Sequence, residues 1–291
     1  MSSSPSSLTS PMSPSPFPLI RISTSISSVA STYATVSFHK SDTIRLLNFP
    51  LSIVTAVEPA ILASWPPGVQ SQTQDTVELS AEFKLKDKPF GCYHIQQNVG
   101  ALRLVRDVLA VLHNHGWELV TSVLCSTRCT TKDTLIFRQR RGQISPARDR
   151  GTSPVEWLVL APLGKNKLRV VYDVNGGRMH GEVDDSQCQD HLGILITGIK
   201  KLLVDLRLFD KGDWSHDSFE VQLKGTPWRS RGEASVTVRL ILMKILELME
   251  SHGWRLYVTM VQRSSDDEYR ALDTWYFVRE KQKLGAAALA R

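Results

Sequence analysis

The sequence predicts an α+β protein: two tandem, homologous β-β-α-β-α-β-β units, each a mixed sheet with its helices on one face, behind a disordered N-terminal tail. Three observations carry that reading. The stretch from Phe219 to Arg279 repeats an upstream stretch, Glu82 to Arg138, with a period of 137–140 residues. Pairing Val99–Trp117 with Val236–Trp254 gives five identities in nineteen positions, and six of the other fourteen pairs exchange one apolar residue for another. Each copy also sets short β-branched runs and longer helical runs in the same order.

The first unit opens on Ala34-Thr-Val-Ser-Phe38, a polar break at His39-Lys-Ser-Asp42, and Thr43-Ile-Arg-Leu-Leu-Asn-Phe49, the pattern of a hairpin. The second opens likewise, with Trp157-Leu-Val-Leu-Ala161, a turn at Gly164-Lys-Asn166, and Leu168-Arg-Val-Val-Tyr172. A helix follows in each, over 50–64 and 189–207. In the latter, Ile194, Ile196, Ile199, Leu202, Leu203 and Leu206 gather near one face. Pro59 inside the former predicts a kink or an early stop.

Strands over 81–87 and 219–225 then lead to helices over 96–114 and 233–251. These helices are apolar around most of their circumference. Their polar stripes are narrow: Arg103, Arg106, Asp107 and His113 in one, Arg239, Lys244, Glu247 and Glu250 in the other. Helices of that kind are buried on several sides. Gly116 and Gly253 stand where a left-handed residue closes a helix. Strands over 117–126 and 254–263, and over 134–139 and 274–279, complete the units.

The chain therefore divides into a Ser/Pro-rich tail, 1–32; unit 1, 33–139; a basic linker, 140–154; unit 2, 155–280; and a C-terminal tail, 281–291. The tail has too little apolar surface to offset its ordering entropy. The 291 residues carry a net charge of +6. Arg21 and Lys40 stand without an acid in 1–41, and five arginines stand against Asp149 in 138–150. Elsewhere 28 basic residues balance 28 acidic ones. Neutral units are unlike a domain that grips a nucleic-acid backbone, which carries a basic face of its own.

Cys92, Cys125, Cys129 and Cys188 are too sparse for a disulfide scaffold, which fits a reducing compartment. No run reaches about 18 uninterrupted apolar residues, so no transmembrane segment is expected. The N-terminus lacks the basic start and apolar stretch of a secretory signal. The expectation is an intracellular protein, cytoplasmic or nuclear, or imported into an organelle if residues 1–32 act as a transit peptide.

No catalytic residue, cofactor site or metal site is assigned. His115 and His252 are matched, as are Asp133 and Asp273, but helix-end and turn chemistry accounts for both pairs. Cys125 and Cys129 have no counterpart in unit 2, and His180, Cys188 and His191 lack zinc-finger spacing. Asn175-Gly-Gly177 reads as a turn. A phosphate-binding Gly-rich loop, a nucleophile elbow and HExxH are all missing from the sequence. The reading leans away from an enzyme.

Two kinds of candidate site remain. Anion binding is assigned to Lys86 and Lys88, to Lys224, Arg229 and Arg231, each set before a helix N-terminus, and to Arg138, Arg140, Arg141, Arg148 and Arg150. Phosphorylation is assigned to the six serines followed by proline: Ser4, Ser10, Ser13, Ser15, Ser145 and Ser153. Each phosphate adds about −1.5 to −2 charges. The leading expectation is a non-enzymatic protein-interaction module with phosphorylatable segments and a protein partner. The alternative is binding of RNA, DNA or anionic lipid through the linker and basic loops. A third reading is an enzyme with a pocket between the units.

Overall fold

The structure, a computed structural model, describes residues 32–76, 79–91, 95–126, 132–139, 155–172, 186–215, 218–262 and 272–280. Unit 1 contains β1 (Thr32–His39), β2 (Thr43–Leu47), α1 (Leu51–Ser64), β3 (Val69–Asp75), β4 (Ser80–Leu85), α2 (Ile95–Asn114), β5 (Glu118–Val123) and β6 (Thr134–Gln139). Unit 2 repeats that order with β7 (Val155–Leu163), β8 (Lys167–Tyr172), α3 (Ser186–Asp205), β9 (Phe209–Ser215), β10 (Ser218–Leu223), α4 (Ala234–Ser251), β11 (Arg255–Met260) and β12 (Thr274–Glu280). The duplication read from the sequence is thus a duplication of fold.

Each sheet has six strands, ordered β3-β4-β2-β1-β6-β5 and, in the same topology, β9-β10-β8-β7-β12-β11. Every neighbouring pair is antiparallel. The expected mixed sheet is therefore corrected, and the cause is one strand per unit, β3 and β9, absent from the sequence reading. Without it, the chain would cross over a helix and return parallel. With it, α1 feeds β3, β3 pairs antiparallel with β4, and β4 lies antiparallel to β2.

Both extra strands are sheet edges. Val-Gln-Ser-Gln-Thr-Gln-Asp in β3 is almost wholly exposed and has no apolar alternation, as suits an edge that must resist pairing with another chain. β9, Phe-Asp-Lys-Gly-Asp-Trp-Ser, is also largely exposed, though its Phe209 packs on the core and Trp214 packs edge-on against Phe219. At the other boundary, Thr32 pairs with Gln139 and belongs to β1, not to the tail.

The helix α1 runs through Pro59 to Ser64 instead of stopping. Proline removes the N–H that would bond the Thr55 carbonyl, but both residues face solvent, which satisfies it. Gly116 and Gly253 both adopt φ +77°, the left-handed closure read from the sequence.

Each sheet carries its own two helices on one face. In unit 1 Val36, Ile44, Leu46, Phe83 and Phe137 meet Ile53, Val57 and Ile61 of α1 and Leu104, Val108 and Leu112 of α2. In unit 2 Leu158, Leu160, Val170, Phe219 and Phe277 meet Leu195, Ile199, Ile241, Ile245 and Met249. The far face of the second sheet is apolar as well. Its Trp157, Val159, Ala161, Val171, Tyr276 and Val278 join the core of unit 1, with α2 packed on β7 and β8.

α2 therefore lies between two sheets, its own on one side and the far face of the second on the other. The sheets meet along one edge, β5 against β11. There the Asp133 N–H donates to the Val261 carbonyl at 3.1 Å, and the Val261 N–H donates to Asp133 Oδ2 at 2.7 Å.

Candidate functional site

Most of the matched polar residues have structural partners. His115 Nδ1 donates to the Val111 carbonyl and His252 Nδ1 to the Leu248 carbonyl, both at 2.8 Å, closing α2 and α4. Asp133 binds backbone of the other unit, a role that turn chemistry did not suggest. Its match, Asp273, lies near enough that partial burial and the Asp133 charge together raise its carboxyl above the usual range.

The layer between the units holds buried polar groups packed among apolar side chains. Ser64 Oγ donates to Asp107 Oδ2, and Arg106 Nε donates to Asp107 Oδ1 at 2.7 Å. The Tyr276 hydroxyl donates to Gln262 Oε1, and its complete burial raises it well above the ordinary tyrosine value. His113 packs edge-on against Trp157 and Tyr257, each 5.9 Å away, and burial lowers its pKa. Apolar side chains of α2 and the second sheet surround these groups.

The basic loops are anchored through backbone and aromatics. The Trp65 indole donates to the Lys86 carbonyl at 2.9 Å, and the Trp228 indole to the Lys167 carbonyl at 2.7 Å. Phe90 and Pro227 are buried, while Lys86, Lys88, Lys224, Arg229 and Arg231 are exposed. Lys88 lines an open depression of about 480 Å³ with Asp42, Gln70, Lys84, Leu85 and Asp87, where two acids balance two lysines. The N-cap of α4 is Glu233, a carboxylate at the positive end of the dipole.

Arg138 lies in β6 and pairs with Glu118 at 3.0 Å. Arg140, Arg141, Arg148, Arg150 and the six Ser-Pro serines lie outside the described residues, as do the tail, the linker and the C-terminal segment. Cys92, Cys129, His180 and Asn175–Gly177 lie outside them too. Cys188 and His191 fall within the bounds of α3, whose first side chains are not described. Cys125 is exposed and unbridged. Among the described residues, no three of His, Cys, Asp and Glu are grouped to hold a metal ion, and no helix is long and apolar enough to cross a membrane.

The surface that stands out is one the sequence did not mark. Both apolar helices were expected to be enclosed, and only α2 is. In the repeat alignment Val99 matches Val236 and Arg106 matches Met243. Val99 is 1% exposed and Arg106 7%, because the second sheet covers that side of α2. Val236 is 65% exposed and Met243 54%. Leu240 lies between them on the same stripe, at helical spacing, and α3 adds exposed Ile194 and Val204.

Isolated exposed apolar residues need no explanation, but a stripe of them on one helix face does. The signal available in the sequence was arithmetical: two helix pairs and two sheets leave one helix layer without a second cover.

Comparison with known proteins agrees with the duplication. Two segments, residues 32–138 and 156–278, each match the family model of one domain of unknown function. The first begins on the opening residue of β1 and ends in β6; the second begins in β7 and ends in β12. No curated protein matches the chain.

Proposed function

The chain belongs to the family of this duplicated domain, whose function is not described, and we propose that it is a non-enzymatic protein-interaction module. The observation behind the proposal is the uncovered face of α4. Position for position it corresponds to the face that α2 buries under the second sheet, and it keeps Val236, Leu240 and Met243 in water. A protein surface with an apolar centre is the chemistry that would bury them. Burial is worth about 25 cal/mol per Å² of apolar area.

The packing of His113, Trp157, Tyr257 and Tyr276 between the units supports this reading over an enzyme with a pocket there. Near-neutral units, a carboxylate at the N-terminus of α4 and balanced charge around Lys88 support it over polyanion binding. We place the protein in an intracellular compartment. Its Ser-Pro segments are regulatory in this proposal, phosphates there turning weakly basic chain acidic.

The test is a pair of titrations on the full chain. RNA, DNA and anionic vesicles are titrated at low and high salt, and partner proteins recovered with wild type are re-tested, purified, against Met243→Lys. A purified protein that binds wild type and is lost from Met243→Lys supports the module. Micromolar polyanion binding that weakens steeply with salt would replace it with the polyanion reading.

A further inference from the structure

Resting on the interaction reading, we infer that the occupant of the α4 face is a second copy of this chain, paired antiparallel across a two-fold axis at Met243. The apolar stripe is Val236, Leu240 and Met243, with Leu242 and Leu246 half-buried beside it. Its charges are placed asymmetrically along the helix. Arg239 lies one turn before Met243, and Glu247 lies one turn after it.

That order is self-complementary. When two α4 helices run antiparallel and cross at Met243, each Arg239 is level with Glu247 of the second copy. Each Leu240 is level with the other Leu246, and the two Met243 side chains meet on the axis. A parallel arrangement would set Arg239 against Arg239. Two-fold pairs of identical surfaces are the commonest form of protein assembly, and they require this kind of self-complementarity.

Both charged groups are available. Arg239 is exposed and bonds only its own helix turn, at the Ser235 carbonyl and Oγ, 3.0 and 2.7 Å away. Glu247 is exposed and holds Lys244 of the same helix at 2.6 Å. Methionine at the crossing suits a pairing of this kind, because its flexible thioether fills an irregular contact.

The first measurement is the mass of the full chain in solution by sedimentation velocity over about 1–100 µM, which suits a self-association at the weak, micromolar end of what interfaces of standard size reach. Wild type is expected to pass from monomer to dimer. Met243→Lys removes the dimer. Arg239→Glu and Glu247→Arg each weaken it about ten-fold or more, and the double variant Arg239→Glu/Glu247→Arg restores it, because the two partners have exchanged sign. A chain that is monomeric throughout overturns the inference, as does a dimer indifferent to these charges.

A photo-crosslinking residue at position 240 of the full chain, activated in cells, separates this inference from the reading beneath it. An adduct of twice the chain mass supports the second copy. An adduct with another protein alone overturns the second copy and leaves the interaction module standing. The absence of any adduct overturns both.

Discussion

Arg169 donates from Nη2 to Glu220 Oε1 at 2.7 Å across β8 and β10, at the positions where Arg45 and Glu82 face each other across β2 and β4. One ion pair has thus been kept in both copies of the duplicated domain, on the sheet face turned away from its own helices. The surroundings differ. Arg169 is fully buried, and Lys167 adds a second contact to Glu220 at 3.1 Å, whereas Arg45 and Glu82 are partly in solvent.

The two pairs should therefore respond differently to the same mutation. Arg169→Met leaves the nearly buried Glu220 carboxylate with Lys167 alone and is expected to cost about 1–3 kcal/mol. Arg45→Met removes a solvent-screened pair worth about 0–1 kcal/mol. Urea unfolding of the two variants against wild type compares them directly, and equal losses would contradict the burial assigned to Arg169.

Acid should destabilise the protein in two stages. His113 is held below its ordinary value by burial, so the unfolded chain takes up the proton first. Its contribution is complete above about pH 6.5, the unfolded value, and is lost as pH falls through the lower folded value. His39, lowered likewise by burial, acts in the same range. Burial alone would raise Glu220, but hydrogen bonds and charge from Arg169 and Lys167 outweigh it and hold the carboxyl low. Its contribution is complete above the unfolded carboxylate value of about 4.3 and fades below it. Unfolding free energies at about pH 7.5, 5.5 and 4 should show both losses, and His113→Phe should shrink the upper one while sparing the lower.

Matched positions on α2 and α4 give a second contrast. Val99→Asp places a carboxylate between two sheets and should cost more than about 3 kcal/mol or prevent folding. Val236→Asp, one repeat later, should stay within about 0.5 kcal/mol of wild type in the monomer. Thermal melts at low protein concentration make the comparison without interference from self-association.

Glycine substitutions should divide by sign. Gly116→Ala and Gly253→Ala force an L-residue to φ +77° and should cost about 1–2 kcal/mol each, adding in the double variant because the helix ends lie in different units. Gly193, in α3, has open space where a Cβ would stand. Gly193→Ala should stabilise by about 0.5–1 kcal/mol. Differential scanning calorimetry of the four variants gives the signs directly.

Features enforced by local chemistry were legible from the residues alone. The hairpins at Lys40 and Gly164, the left-handed closures at Gly116 and Gly253, and the helix-end histidines all follow from short-range patterns. β3 and β9 were not legible, because an edge strand largely exposed on both faces has no alternation to read. The cover over α2 and its lack over α4 escaped for another reason. Val99 and Val236 are the same residue in the same local pattern, and only the position of the second sheet separates them. Asp133 likewise found its partner, Val261, 128 residues away.

The apolar far face of the second sheet also makes the two halves depend on each other. Unit 1 leaves the ribosome first and has α2 ready but half-bare. Unit 2 arrives with Trp157, Val159 and Tyr276 facing outward and no use for them except that surface. Cut apart, each half would expose to water the apolar surface it now buries against the other. The duplication has produced one core completed from both copies.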